Sequence, residues 1–247
     1  MDTWNQQKTD YLRKQLSRNS CKTIVDLGCG PEAYTGVSIA DLVETVICID
    51  IFDDIDIHLK NLKYIKSTTH NRIPLDDNSV DALWASHLLE HVCNLGDFLT
   101  EIRRVLKPGG YIWVAVPPFK YEIVNHFTTG WSVGQLAYVL AGFGFDCSKV
   151  EFYEEGYNVF GGGAKNKLLH EAPTHFGEYC VSIEKVAAYL PHDIQEDLEK
   201  YDPDFEGCHR FEGRRHVIGD TLETTRPSPS YTKRIIRRFK ALFKLRA

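Results

Sequence analysis

Two groups of residues in this 247-residue chain carry side chains whose types and spacing could do chemistry. The first is the string SHLLEHV, in which His87, Glu90 and His91 form an H-x-x-E-H pattern. The same pattern occurs in a class of zinc proteases, where two His four residues apart on one helix face bind the metal. A protease site also needs a third ligand and a helix inside a cleft. Because His87 lies where a predicted strand meets a predicted helix, we expect no metal here. His91 is expected to pack, with a direct catalytic role as the alternative.

The second group combines a glycine turn with two acidic residues. In IVDLGCG, Asp26 precedes Gly28 and Gly30, and Asp50 ends the next apolar run. Glycine lets the backbone approach a ligand where a Cβ would clash. A carboxylate at the end of the following strand can accept hydrogen bonds from ribose hydroxyls. Together these residues favour a nucleoside-containing cofactor, with an ordinary strand-to-helix turn as the alternative.

The turn also indicates which cofactor fits. A dinucleotide fingerprint needs a third glycine, but Gly30 is followed by Pro31, Glu32 and Ala33. A carboxylate at Asp26 would repel a pyrophosphate, whereas it would attract a sulfonium or an α-ammonium group. The pattern therefore favours S-adenosylmethionine.

Short apolar runs alternate with helical patterns through most of the chain. The predicted strands are 22–27, 45–50, 62–67, 80–86, 111–117, 145–155 and 178–186. Helices are predicted over 2–18 and 87–106, and a further helix after a capping box at Ser132 and Gln135. This alternation predicts an α/β fold with a mostly parallel sheet. Ligands bind such sheets at the carboxyl ends of the strands, here residues 26–34, 50–54, 67–72, 86–91 and 117–130.

The blocks VDLGCGPEAY, VICID, IPLDDNSVDALWASHLLEHV and EIRRVLKPGGYIWVAVP resemble the class I S-adenosylmethionine-dependent methyltransferases with a type-11 methyltransferase domain. The resemblance covers about residues 22–145. It implies a Rossmann-like, doubly wound, seven-stranded sheet, mostly parallel, with an antiparallel last strand. It also implies cofactor-binding residues: Asp26, Gly28 and Gly30 on the methionine side, Asp50 and Ile51 at the ribose, and His87 lining the pocket. His87 could contact either the cofactor or the methyl acceptor.

The chain departs from the family pattern at two positions. Glu32 replaces a glycine, so the turn must direct this side chain away from the cofactor. The family often has an Asp that holds the adenine amino group where this chain has Thr69. We expect Thr69, His70, Asn71 or a backbone carbonyl to accept that bond. A neutral acceptor gives up part of the ~1.5–3 kcal/mol typical of a bond to a charged group.

The methyl acceptor is expected to bind beside residues 117–132. This segment holds His126, the candidate catalytic base, since imidazole is the usual base near neutral pH. A solvated loop residue is the alternative for His126, and His70 is a weaker candidate base. The aromatic side chains that could line the acceptor site are Phe119, Tyr121, Phe127 and Trp131. The glycine-containing segment 158–167 is expected to be a lid or a surface loop.

Composition and charge limit the remaining possibilities. Seven scattered cysteines without a C-x-x-C pair, and no apolar run of 18 residues, predict a cytoplasmic, reducing environment. The last fifteen residues carry seven Lys or Arg and no acid, and the rest of the chain sums to −12, with 22 basic and 34 acidic residues. Such a local basic tail does not predict nucleic-acid binding.

The predicted organisation is a helix over 1–20, the methyltransferase domain over 21–186, an irregular extension over 187–230 and a basic amphipathic tail over 231–247.

The tail and the acceptor remain open from the sequence alone. The tail has apolar residues at helical spacing among cations. Such a helix can lie on an anionic membrane surface, which here would be the inner face of the membrane. The alternative is that it packs on an acidic partner or on the body of the protein. By resemblance, the expected acceptor is a small molecule, a sugar or a lipid-linked glycan of surface-polysaccharide assembly. A soluble metabolite is the second candidate. A non-catalytic scaffold or peripheral membrane protein with the same fold is the alternative.

Overall fold

The computed structural model describes residues 3–53, 55, 59–67, 72–120, 127–166 and 183–199. All of them belong to the first of two compact units, residues 1–216. The second unit, residues 217–247, lies outside the described residues. Three predicted site residues, Thr69, His70 and His126, also fall outside them.

Helices and strands alternate along the first 116 residues. The helices are α1 (Thr3–Arg18), α2 (Tyr34–Ile39), α3 (Leu95–Val105), α4 (Val133–Gly142), α5 (Ile183–Val186) and α6 (His192–Glu199). The strands are β1 (Thr23–Leu27), β2 (Thr45–Asp50), β3 (Leu62–Lys66), β4 (Val80–Ser86), β5 (Leu106–Val116), β6 (Phe145–Asp146), β7 (Tyr153–Glu155) and β8 (Asn158–Lys165). The leading helix and the first five strands confirm what the apolar runs predict.

The strands form one sheet in the order β3-β2-β1-β4-β5-β8-β6, with β7 paired to β8 beside this path. Strands β1 to β5 pair in parallel, and β8 runs antiparallel to β5 and to β6. The Rossmann-like α/β class and the antiparallel last strand are therefore confirmed. With the short β7, the described residues hold eight strands, whereas the resemblance implies a seven-stranded sheet.

The sheet and helix α1 share one apolar core. Strands β1, β4 and β5 are almost continuously buried, as is typical of parallel strands covered on both faces. The ring of Tyr11 in α1 stacks on Phe160 of β8, with 4.7 Å between centroids. At the surface, Arg13 makes a two-bond ion pair with Asp41, and Lys14 pairs with Glu151. Helix α1 is thus an integral layer of the domain.

Residues 158–167, predicted as a lid or surface loop, are mostly strand β8, so that prediction is wrong. Residue propensity does not predict this strand, because it contains several glycines and glycine is depleted in strands. Here they permit close packing: a Cβ on Gly162 would lie 2.3 Å from the carbonyl oxygen of Ile112 and 2.6 Å from the Trp113 ring. The run of small residues therefore belongs to the interior of the sheet.

The helix predicted over 87–106 begins only at Leu95. His87 has a left-handed backbone with φ 52°, and a single 3-10 turn follows at Leu89–His91. The Asn94 side chain then accepts a hydrogen bond from the Asp97 N–H and starts α3. The leucines in between fit a helical period without forming a helix.

Three other predictions differ from the structure. The strand over 145–155 is split, because the Asp146 carboxylate accepts bonds from the Ser148 N–H and hydroxyl and turns the chain. Within the stretch 178–186, predicted as a strand, the described residues form helix α5. Residues 187–199, predicted as irregular, hold a 3-10 turn and α6, with Leu190 and Ile194 buried.

Candidate active site

A cleft of about 420 Å³ opens at the carboxyl ends of β1, β2 and β3. The chain order reverses here, since β2 and β3 lie on one side of β1 and β4 lies on the other. Such a switch point is where open α/β sheets bind ligands. The lining residues are Leu27, Gly28, Ile49, Asp50, Ile51, Ser67, Ile73, Pro74, Leu88 and Phe98.

The glycine turn forms one wall of the cleft. Gly28 and Gly30 both have positive φ, +75° and +72°. The Gly28 N–H donates to the Ile49 carbonyl at 2.8 Å, and a Cβ there would lie 3.3 Å from the Leu88 side chain. At Gly30 an added Cβ would meet no atom within 4 Å. The turn is therefore tight at its first glycine and open to a ligand at its second.

Asp50 connects the turn to the end of β2. Its Oδ2 accepts the Gly30 N–H and its Oδ1 accepts the Ile51 N–H, both at 2.7 Å. Each carboxylate oxygen can accept a further bond, so both remain available to ligand hydroxyls. Ile51 is 56% exposed and completes this edge of the cleft. Of the predicted cofactor residues, Gly28, Asp50 and Ile51 thus meet in one lining.

Asp26 is buried beneath the turn and does not line the cleft. Its Oδ2 accepts the Gly36 N–H at 2.8 Å. Burial raises the pKa of the Asp26 carboxyl from 3.8 to about 7, while the Gly36 bond and Lys8 act in the opposite direction and Asp50 adds to the rise. Asp26 is thus an acid whose ionisation depends on the charge that approaches it.

His87 lies at the end of β4 with its ring held by neighbours outside the cleft lining. Its Nδ1 is 3.2 Å from Glu90 Oε1, and its Nε2 is 2.9 Å from Asn158 Oδ1. The Tyr157 ring stacks on it with a centroid separation of 6.2 Å. The next residue, Leu88, lines the cleft. A cofactor contact by His87 therefore stays a prediction.

The predicted acceptor side follows β5. Phe119 is 56% exposed, and its N–H donates to the carbonyl of the buried Trp131 at 2.7 Å. Lys120 Nζ lies 5.5 Å from the centroid of the Tyr157 ring, which brings the β5 end and the turn before β8 together. His126, the predicted base, is outside the described residues. Glu32 is exposed and absent from the cleft lining.

The described residues offer neither a metal site nor a membrane-spanning helix. No group of three or more His, Cys, Asp or Glu in that part of the chain is arranged to hold a metal ion. None of its helices is both long and apolar enough to cross a bilayer. The H-x-x-E-H string instead forms the 3-10 turn, where His91 lies edge-on to Phe127 at 5.1 Å.

Several lining residues are not among the predicted ones. Ser67 and Leu88 fall inside ranges that the strand ends indicate, whereas Ile73, Pro74 and Phe98 fall outside them. Phe98 comes from the first turn of α3, whose start is misplaced by the predicted helix over 87–106. A correct helix start at Asn94 is the one sequence feature that could have indicated it.

Comparison with known proteins shows which domain family the chain resembles. Residues 25–114 match the model of a methyltransferase domain family. A Mycolicibacterium smegmatis protein named "Probable S-adenosylmethionine-dependent methyltransferase" is 29% identical over 118 residues, 46% of this chain and 45% of that protein. A methyltransferase of Schizosaccharomyces pombe, itself uncharacterized, is 32% identical over 107 residues, 42% of each. The match thus spans less than half of these relatives.

Solved structures support the fold. A SAM-dependent methyltransferase from Aquifex aeolicus has a TM-score of 0.50 and 23% identity, covering 63% of this chain and 88% of that one. A protein from Pyrococcus horikoshii has a TM-score of 0.51 and 15% identity, covering 67% and 92%. Residues 25–114, which hold the blocks around Asp26 and Asp50, are thus similar to the family of methyltransferase domains. The solved structures share the α/β fold.

Proposed function

We propose that this protein is an enzyme that transfers the methyl group of S-adenosylmethionine to a small or glycan-like acceptor. A sugar in surface-polysaccharide biosynthesis is the acceptor that we favour, ahead of a soluble metabolite. One observation carries the proposal: the Asp50 carboxylate and the Gly28 turn meet in an apolar cleft at the switch point of the sheet.

The residues present fit the cofactor that the family implies. Asp50 would accept bonds from ribose hydroxyls, and Ile51, Ile73 and Leu88 would pack against the adenine and exclude water. Asp26 beneath the turn would favour a cation at the methionine side. S-adenosylmethionine supplies a methyl carbon made electrophilic by its sulfonium. Water exclusion strengthens each charge interaction in the cleft, because the local dielectric falls.

The acceptor class is supported by exposed rings after the end of β5 and before β8. Phe119 and Tyr157 expose 56% and 36% of their surface. Flat rings suit the apolar faces of sugars, and Lys120 beside Tyr157 would attract an acidic substituent. These features support a glycan-like acceptor without selecting one sugar.

Cofactor binding is the first test. We expect calorimetry to show binding of S-adenosylmethionine and of its demethylated product. Asp50→Asn should weaken both by about 10- to 150-fold, since a bond to a charged group contributes about 1.5–3 kcal/mol. Asp53→Asn is the matched control, because Asp53 is an exposed acid three residues away that pairs with Lys66 outside the lining. No binding of either compound by the wild-type protein would overturn the proposal.

Methyl transfer is the second test. The full chain would be incubated with S-adenosylmethionine labelled in its methyl group and with sugars, nucleotide sugars and lipid-linked glycans in parallel. Label in a glycan supports the proposed acceptor, and label only in a soluble metabolite replaces it. Binding of both cofactor forms without transfer to any acceptor would favour the non-catalytic scaffold.

We also propose that residues 231–247 bring the protein to anionic membrane surfaces. Their sequence carries cations among apolar residues at helical spacing, and each cation near anionic lipid contributes about 1 kcal/mol. Flotation with anionic vesicles should recover the full chain and lose a chain that ends at Ser230. Equal flotation of the two would remove this part of the proposal.

A further inference from the structure

Four side chains at the carboxyl end of β4 form a cluster that cofactor binding does not explain. We call His87, Glu90, Asn158 and Gln7 the His87 cluster. His87 has φ 52°, a left-handed conformation that is strained for a residue with a Cβ. Such conformations recur at active sites, where surrounding contacts hold them. Here the His87 N–H is held by the Ala115 carbonyl at 2.8 Å, beside the end of β5.

Glu90 is the charged member of the cluster. Its side chain is completely buried, and neither carboxylate oxygen accepts a well-formed hydrogen bond from the described residues. The closest basic nitrogens are His87 Nδ1 at 3.2 Å and His91 Nε2 at 3.9 Å, both measured to Glu90 Oε1. A buried carboxylate needs donors to offset its desolvation. A proton on His87 Nδ1 meets that need and leaves Nε2 as the basic nitrogen.

Asn158 occupies the other side of the His87 ring. Its side chain is fully buried, its Oδ1 lies 2.9 Å from His87 Nε2, and its Nδ2 donates to Gln7 Oε1 at 3.3 Å. An amide offers a donor and an acceptor that exchange places on rotation. Asn158 and Gln7 can therefore pair with Nε2 whether that nitrogen carries a proton or a lone pair. The ring can change its protonation state without leaving a buried group unpaired.

We propose that His87 is the catalytic residue that takes the proton of the methyl acceptor, with Glu90 and Asn158 as its positioning residues. This rests on the proposed function. An acceptor hydroxyl displaces the Asn158 amide at His87 Nε2. The acceptor oxygen forms a bond to the methyl carbon, the carbon–sulfur bond breaks with its electron pair left on sulfur, and the hydroxyl proton moves to Nε2. The Glu90 carboxylate then stabilises the imidazolium.

The surroundings of the cluster suit an approaching acceptor. Leu88, the next residue, lines the cofactor cleft, and the partly exposed Tyr157 ring covers the His87 ring. The other titratable groups facing it are His91 behind Glu90, Tyr157 itself and Lys120 over the Tyr157 ring. His87 therefore takes the role that the sequence analysis assigns to His126.

The first test reads the tautomer of His87 in the full chain without any ligand. Nitrogen-15 NMR of histidine-labelled protein at about pH 8 should show His87 protonated at Nδ1 and bare at Nε2, the reverse of the usual preference of imidazole in water. Glu90→Leu should return the ring to the Nε2–H form, donating to Asn158. His87→Gln identifies the signal. An Nε2–H ring in the wild-type protein, or no change in Glu90→Leu, would overturn the proposal.

The second test separates catalysis from cofactor binding. His87→Gln should bind S-adenosylmethionine within about threefold of the wild-type affinity and lose about 10²- to 10⁴-fold in methyl transfer, the usual contribution of a positioned base. His192→Gln is the matched control, because His192 forms an exposed pair with Glu196 in α6 and should change neither quantity. Retained transfer, or a large loss of cofactor affinity, in His87→Gln overturns the role of His87. Absence of cofactor binding in the wild-type protein overturns the proposed function instead.

Discussion

Asp26 is a carboxyl group that the fold keeps under the cofactor turn with its pKa raised to about 7. The Gly36 N–H, at the start of α2, donates a hydrogen bond to it, and the charge of Lys8 also favours the ionised form. Burial nevertheless raises the pKa by more than these two lower it. The charged form therefore costs stability until a further cation approaches, which is a cost that a catalytic domain can recover when its ligand binds.

Replacement of Asp26 by Asn should reveal this cost through its pH dependence. The folded protein holds the Asp26 proton more tightly than the unfolded chain does, so this group's stabilisation is complete below about pH 4 and is lost as the pH rises through about 7. Asn stays neutral throughout and keeps an acceptor for Gly36. Urea denaturation should show Asp26→Asn equal to wild type near pH 4 and more stable near pH 8, by up to about 4 kcal/mol. A difference that does not vary with pH would contradict the assignment.

The sequence alone predicts those residues of the candidate site that lie close together in the chain. Gly28 and Asp50 could be found because a glycine turn and a strand-end acid have fixed positions in a βα unit. Asn158 could not, because long-range packing brings it to the site from another element, and Phe98 required the correct helix start at Asn94. For Asn158 the distance is 71 residues from His87, its hydrogen-bond partner.

At the scale of elements, strand β8 depends on the absence of side chains. Gly162→Ala would put a methyl group 2.3 Å from the Ile112 carbonyl, against the backbone of the neighbouring strand β5. Backbone cannot move aside cheaply, so we expect a loss of about 3 kcal/mol or more, or failure to accumulate folded protein.

Gly109→Ala serves as the control for Gly162→Ala. Gly109 has φ +75°, but an added Cβ would meet no atom within 4 Å. We expect this variant to lose only about 1–2 kcal/mol in free energy of unfolding, the cost of an alanine in the left-handed conformation. Thermal denaturation of both variants measures the difference, and equal losses would contradict the close packing of β8.

Helix α1 offers a change that should stabilise the protein. The Tyr11 ring is buried against Phe160, but its hydroxyl has no hydrogen-bond partner among the described residues. Burial also raises the pKa of the Tyr11 phenol above its usual value. Tyr11→Phe removes the unpaired hydroxyl and should raise the free energy of unfolding by about 1–2 kcal/mol. Tyr11→Ala should lower it by about 3–5 kcal/mol. Urea denaturation checks both, and a loss in Tyr11→Phe would reveal a partner for the hydroxyl.

The elements that the sequence predicts correctly are those whose own residues specify them. The strands ending at Leu27, Asp50 and Ser86 are apolar runs with clear turns, and Ser132 caps α4 by accepting the Gln135 N–H. The elements that it misplaces depend on contacts elsewhere. Strand β8 is defined by its fit against β5, and the segment before α3 is held by the backbone of His87 and the cap at Asn94.

At the scale of the whole molecule, the cleft links cofactor binding to stability. A ligand that binds only the folded state at 100 times its dissociation constant adds about 2.7 kcal/mol. For a domain of this size that corresponds to a rise in Tm of about 5–10 °C. We expect S-adenosylmethionine to produce this rise in the wild-type protein and in Asp53→Asn, and a much smaller rise in Asp50→Asn. An equal rise in all three would exclude Asp50 as a ligand contact.

The contact between Tyr11 and Phe160 also sets an order of events during synthesis. Helix α1 leaves the ribosome before the strand on which it stacks, which follows about 150 residues later. At ~5–20 residues per second, the amphipathic helix waits roughly 7–30 s with its apolar face uncovered. Helix α1 thus reaches its native position only after β8 is made, and until then its apolar face is open to chaperones and proteases.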